Sequence, residues 1–359
     1  MNKFNKVLIL ILVILIAGAV YLTFMVDTGS FNWDDKGNVS MVVTGDVMIG
    51  KTVSPSLDGV NSPFEDVLDI LGSCDILLIN FENAATSSST PYKSDIPLKV
   101  DPSYVSKIKV NNRMVAALAN NHIFDYGVDG MHDTLSALQE NGIIPIGAGD
   151  NADAASKPVT LEIEGRKITI LNFMDSDNFA AYSQEEMPIA GASAPGYSAY
   201  DSEVAQKLIN ESKAKGSDFV VVFFHFGNEY STSPNEVQVK MAHEVIDYGA
   251  DAVVGSHPHV AQGIETYSGK PIFYSLGDFV FYPLGDSNTN YAYFVKFDLH
   301  GGNCTATVYP VTISNNFPHY MDADSAVSFL KSLYPSSESL KINNDGTGTL
   351  TFELTAPKK

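Results

Sequence analysis

The chain has 359 residues, 45% of them hydrophobic and 18% charged, a composition that excludes a disordered or collagen-like polymer. Its 22 lysines and arginines stand against 42 acids, a formal net charge of −20, so the surface repels phosphate backbones and general nucleic-acid binding is excluded. An anionic substrate would need a local cation, supplied by a metal or a basic pocket.

Residues 7–26, VLILILVILIAGAVYLTFMV, carry no charge. At about 1.5 Å per residue this run spans a hydrocarbon core of about 30 Å. Lys3 and Lys6 precede it and Asp27 follows, so the positive-inside tendency places the rest of the chain outside the cytoplasm. A cleaved signal peptide is the competing reading, since Ala17-Gly18-Ala19 offers small residues after a short apolar stretch, and a buried core helix is a third. The apolar run continues past Ala19, which favours a retained single-pass anchor. No cysteine lies nearby, which argues against a lipoprotein, and residues 27–38 are polar and turn-rich like a short linker.

From Val39 onward, short aliphatic or β-branched runs alternate with helical patterns, the habit of an α/β domain. Strands are predicted at 39–44, 76–79, 114–118, 143–146, 167–172, 219–224, 252–254, 271–275, 292–299 and 305–313. Helices are predicted at 130–141, 202–213 and 236–248, with Gly142 and Gly249 as helix-ending glycines. Residues 174–200 have no steady period and read as a long loop over the domain. The concentration of strands in 270–314 predicts an antiparallel second layer. A domain over 39–314 is then followed by an appendage, 315–359, with a helix at 323–333 and a strand at 348–354. Cys74 and Cys304 fit neither a zinc-finger spacing nor a disulfide-rich framework, and a single bridge between them stays open.

Polar residues cluster where these strands end. Asp46, in Thr44-Gly45-Asp46-Val47-Met48, places a carboxylate at the carboxyl edge of the first strand, where α/β sheets bind ligands; an ordinary turn is the alternative. Glu82 follows the second strand as a second carboxylate or a solvated cap. The third strand runs into Asn120-Asn121-His122, an amide oxygen and an imidazole of the kind that ligates metal or transfers protons. His225 follows an apolar run and is either at the same edge or a satisfied core histidine. In Ser256-His257-Pro258-His259 the two histidines are two residues apart, so in an extended segment they converge on one centre; a hydrogen-bonded pair is the alternative. His132, His243, His300 and His319 have no partner at ligand spacing and suit surface or packing roles.

The motifs GDVMIG from Gly45, NFE from Asn80, ANNHIFDYG from Ala119, HFGNEY from His225, DYGADAVVGSHPHVAQGIE from Asp247 and PIFYSLGDFVF from Pro271 resemble the capsule-biosynthesis CapA family, associated with poly-γ-glutamate synthesis and export. That family is similar to calcineurin-like metallophosphoesterases, and the resemblance covers residues 39–298. It implies an α/β, metallophosphoesterase-like αββα sandwich, here with an N-terminal transmembrane helix. Carried over position by position, it implies Asp46, Glu82, Asn121, His225, His257 and His259 as metal ligands and His122 as the residue that meets substrate or protonates its leaving group. The wider pattern has a histidine two positions after the first aspartate, where this chain has Met48, and an aspartate where it offers Glu82.

Three imidazoles, two carboxylates and an amide suit one or two ions of Mn, Fe or Zn better than calcium. Two functions are therefore expected in competition. The first is a membrane-anchored metal-dependent hydrolase of a phosphoester or related bond, with His122 as acid. The second is a non-catalytic metal-containing scaffold that holds an anionic polymer or phosphorylated group beside a synthase and exporter complex.

Overall fold

Apolar runs such as 76–79, 219–224 and 252–254 form strands buried on both faces, and every strand segment predicted above overlaps one in the structure. The computed structural model describes residues 32–92, 96–176, 188–333 and 340–356. In chain order it contains β1 (Val39–Val47), β2 (Ile76–Phe81), β3 (Met114–Ala117), helix α1 (Gly127–Glu140), β4 (Ile143–Ile146), β5 (Val159–Ile163) and β6 (Arg166–Met174). Then come α2 (Ser202–Ala214), β7 (Phe219–His225), α3 (Glu236–Asp247), β8 (Ala252–Ser256), β9 (Ile264–Tyr267), β10 (Lys270–Phe273) and β11 (Asp278–Val280). The last elements are β12 (Tyr291–His300), β13 (Asn303–Ser314), β14 (Phe317–Tyr320), α4 (Ala323–Leu333), β15 (Lys341–Ile342) and β16 (Gly348–Glu353).

Two sheets result. The first has the order β15-β16-β13-β12-β1-β2-β3-β4, with β11 also pairing β1 and β14 pairing β13. The second has the order β9-β10-β8-β7-β6-β5. Strands β1 to β4 are mutually parallel, as are β6, β7, β8 and β10, so their carboxyl ends line up along one edge of each sheet. The expectation of a separate antiparallel layer from 270–314 is corrected: β12 pairs antiparallel with the amino-terminal half of β1, Val43 opposite Val295, and carries β13 into the first sheet.

The sheets face each other through aromatic side chains. Phe219 and Phe273 of the second sheet meet Phe297 of the first, with ring centroids 5.4 and 5.9 Å apart. On the outer side of the first sheet, Val42, Leu77 and Ile79 share a core with Met131 and Leu138 of α1. On the outer side of the second, Val220, Val222 and Phe224 pack with Ile209 of α2 and Met241 and Val245 of α3. The architecture is the expected αββα sandwich. Helix α3 opens with a capping box in which Asn235 and Gln238 satisfy each other's backbone N–H, and the backbone turns left-handed just past α1 and α3 at Gly142 (φ 66°) and Gly249 (φ 112°).

Cys74 and Cys304 are both buried and unbridged, and burial pushes the Cys74 thiol up to about 12, so neither is a ready nucleophile. Of the loop expected over 174–200, residues 177–187 lie outside the described residues, and Gly196–Tyr197 pairs with Ala148–Gly149. The apolar run 7–26, expected as a transmembrane helix, also lies outside them. Among the described residues no helix is long and apolar enough to cross a membrane.

Candidate metal centre

Several of the parallel strands carry polar residues at their carboxyl ends to the shared edge between the two sheets. Asp46 closes β1, with its backbone paired in register to Asp278 at the start of β11. That approach requires Gly45, since a Cβ there would lie 1.9 Å from the Gly277 carbonyl oxygen. The buried Asp46 carboxylate accepts from Asn80 Nδ2 at 2.6 Å and from the hydroxyl of Ser256, which closes β8 in the opposite sheet. One aspartate thus ties both sheets together at the site.

Glu82 follows β2 and is fully buried, yet among the described residues neither of its oxygens meets a hydrogen-bond donor. Its nearest basic atoms are His225 Nε2 at 3.9 Å and His122 Nε2 at 4.0 Å from Oε1. Burial, and then the neighbouring carboxylates Asp46 and Asp278, hold its carboxyl well above the ordinary range. A carboxylate in this position demands a proton or a cation.

His225 closes β7 with Nε2 2.9 Å from Asn121 Oδ1 and Nδ1 3.2 Å from Asn80 Nδ2. The His257 ring lies 4.7 Å from the His225 ring, centroid to centroid. His259 instead turns toward Asp278, with Nδ1 2.8 Å from Asp278 Oδ1 and 3.7 Å from Asp46 Oδ2. Burial lowers the basicity of His259, but Asp278 and then Asp46 overcome it and raise its pKa to about 9. Asp278 itself is pushed to about 7 by burial, against the pull of His259.

The ligand atoms form two buried groups, Glu82 with His225 and His257, and Asp46 with His259 and Asp278, each with all its atoms within 4.8 Å of one another. The six residues singled out as ligands from sequence therefore meet, Asn121 joining through His225. One local expectation is corrected: His257 and His259 do not converge on a single point. Both have positive φ, 105° and 60°, so the segment is a strained turn rather than extended, and the two rings are sent to different groups. Met48 is also resolved. Its sulfur accepts the Gly50 N–H at 3.0 Å and its side chain is packed in the core with Ile49, Val53 and Leu57, so it does not act as a ligand.

His122 is held through Asp125 and Asn120. Its Nδ1 lies 2.6 Å from Asp125 Oδ2, that same oxygen accepts the Leu98 N–H at 2.6 Å, and the His122 N–H donates to Asn120 Oδ1. This arrangement puts the Nδ1 proton on the Asp125 side and presents Nε2 to Glu82. The other histidines are elsewhere: His132 pairs with Asp150, His243 stacks on Tyr267, and His319 pairs with Asp66.

Sequence reasoning missed Asp278, Asn80, Ser256 and Asp125. Leu276-Gly277-Asp278 repeats the Gly-Asp pattern of Gly45-Asp46, and Asn80 stands two residues before Glu82, so a signal existed for both. The donor set fits a divalent transition metal. Imidazoles, carboxylates and an amide are gathered at buried positions, and the described ion-pair partners of Asp46 and Asp278 are histidine rather than lysine or arginine.

The family described as "Bacterial capsule synthesis protein PGA_cap" matches residues 40–283, a range that holds every residue of the two groups. The PGA biosynthesis protein CapA of Bacillus subtilis (strain 168) is 36% identical over 300 residues, 81% of this chain and 76% of that protein. The capsule biosynthesis protein CapA of Bacillus anthracis is 32% identical over 322 residues, 87% of this chain and 76% of that protein. Among solved structures, the calcineurin-like phosphoesterase YfkN from Bacillus subtilis aligns with a TM-score of 0.43 at 14% identity, covering 90% of this chain and 94% of that one.

Proposed function

The chain belongs to the bacterial capsule synthesis protein family, and from that membership and the buried donor groups we propose a membrane-anchored, metal-dependent hydrolase. Its process is the biosynthesis or export of a capsule or poly-γ-glutamate-type polymer, beside a synthase and exporter complex, and its bond is a phosphoester or a related one. The observation that carries this reading is Glu82, a buried carboxylate with no donor among the described residues, grouped with His225 and His257 as one of two sets of ligand atoms.

A divalent ion bound there supplies Lewis-acid polarisation of the substrate and acidifies water. The chain's own residues do the rest. Asn80 and Ser256 fix Asp46, and Asn121 and Asn80 fix the plane of the His225 ring. Asp125 keeps His122 in the tautomer whose Nε2 can hold a proton for the leaving oxygen. These side chains are buried, which strengthens each of these interactions. In a protein of net charge −20, a metal-loaded edge is also where an anionic polymer or phosphate finds attraction.

The test uses the full-length protein in detergent, loaded with Mn²⁺ or Zn²⁺, with metal content and cleavage of phosphodiester and γ-glutamyl amide substrates measured together. Bound metal with turnover of one bond class is expected. Full occupancy without cleavage of any substrate would leave the anionic-polymer scaffold as the function.

Residues 7–26 carry the anchor and Lys3 and Lys6 its orientation, so the domain belongs on the extracytoplasmic side. Protease added to intact spheroplasts should digest the domain while a cytoplasmic control survives. Survival of the domain alongside the control would refute that orientation.

A further inference from the structure

Building on the metal-centre reading, we infer that Asp278 is a direct ligand that replaces the nitrogen missing at Met48, giving the centre two positions of unlike chemistry. One is oxygen-rich, made by Asp46, Asp278 and His259; the other is nitrogen-rich, made by Glu82, His225 and His257.

Geometry supports the first position. With metal–ligand bonds of about 2.1 Å, two ligands of one ion lie about 3.0 Å apart at right angles and about 3.4 Å apart in a tetrahedron. His259 Nδ1 lies 2.8 Å from Asp278 Oδ1 and 3.7 Å from Asp46 Oδ2, close to those separations. The backbone enforces this, because Asp46 and Asp278 are register partners on parallel strands and so present their carboxylates side by side. These two buried carboxyl groups share one basic neighbour among their described ion pairs, the Nδ1 of His259. The neighbouring Glu82 brings a third buried carboxyl group whose two oxygens have no donor among the described residues. Met48 offers no nitrogen or oxygen donor, and its sulfur already accepts the Gly50 N–H.

The donor sets then predict selectivity. Carboxylate-rich sites suit Mn²⁺, whereas imidazole-rich sites suit Zn²⁺ or Fe. The nitrogen-rich position fills with Zn²⁺ first, and the oxygen-rich one retains Mn²⁺ in competition.

The alternative role for Asp278 is only to accept the His259 Nδ1–H and orient the ring. Asp278→Asn separates the two, because asparagine keeps the acceptor and the shape while removing the charge. Metal-free full-length protein is titrated with Mn²⁺, followed by electron paramagnetic resonance, and with Zn²⁺, followed by elemental mass spectrometry. Wild type should bind two ions per chain. Asp278→Asn should weaken the Mn²⁺ position by more than the about 10–100-fold that losing a supporting partner costs, with Zn²⁺ binding unchanged. Asp278→His should move that position's preference from Mn²⁺ toward Zn²⁺, and His257→Ala should weaken the Zn²⁺ position alone.

A loss of Mn²⁺ affinity in Asp278→Asn of about 100-fold or less, or an unaltered preference in Asp278→His, would overturn the inference and leave Asp278 as an orienting residue. A wild type that binds one ion, lost in His257→Ala but not in Asp278→Asn, would overturn it while leaving the metal-centre reading intact. A wild type that binds no ion would overturn both.

Discussion

Replacing His122 with alanine should leave metal content unchanged while turnover of an unactivated phosphodiester falls by about 10²–10⁴-fold. The side chain stands outside both groups of ligand atoms, 4.0 Å from Glu82 Oε1, and its other nitrogen is committed to Asp125 at 2.6 Å. Nε2 is therefore aimed at the centre without belonging to it, which is the placement of a proton donor. The deficit should shrink with an ester whose leaving group is a nitrophenolate, because so weak a base departs without a proton. Asp125→Asn should give a smaller loss of the same kind, since its amide would donate to Nδ1 and shift the tautomer. Metal content, and rates on both esters, check this. Loss of metal in His122→Ala would make His122 a ligand, and equal deficits on the two esters would remove its role as acid.

The residues of the centre were legible because buried parallel strands read as apolar runs, and the polar residues within a few positions of each run's end emerge at the carboxyl edge. Asp46, Glu82, Asn121 and His225 all stand there. Asp278 was not, because its position depends on the pairing of β11 with the end of β1, a contact between segments far apart in the chain. The same cause hid the true placement of β12 and β13: alternation predicts antiparallel strands but not which sheet they extend. The histidine pair failed differently. A two-residue spacing implies a common direction only in extended backbone, and positive φ at His257 and His259 breaks that premise, a cost expected where function holds the chain in a strained turn. Asp125 went unread because its role is to hold a neighbour, which spacing alone does not reveal.

Glu82→Gln should abolish turnover, empty the nitrogen-rich position and make the metal-free protein less sensitive to alkaline pH. In the metal-free wild type three neighbouring groups have raised pKa values: Glu82 well above 4.5, Asp278 from 3.8 to about 7, and His259 from 6.5 to about 9. A folded-state pKa above the unfolded one means that the folded state holds its proton more tightly. The stability so gained is complete below the unfolded value and is lost as pH rises through the folded one. Metal-free protein should therefore lose Tm as pH climbs from 3.8 past about 7 for Asp278 and from 6.5 to about 9 for His259, with Glu82 adding to the fall. Bound metal takes the place of those protons, so the Tm gap between loaded and metal-free protein should widen over the same range. Glutamine removes one buried charge from this balance, and its amide can donate to the adjacent Asp46, which at alkaline pH should stabilise the metal-free fold by about 1–3 kcal/mol. The same amide cannot offset the charge of an ion. Thermal melts of loaded and metal-free protein across this pH range, with metal analysis, decide the matter. Retained metal in Glu82→Gln would show that Glu82 is not a ligand, and an unchanged alkaline loss of Tm would assign that loss to Asp278 and His259 alone.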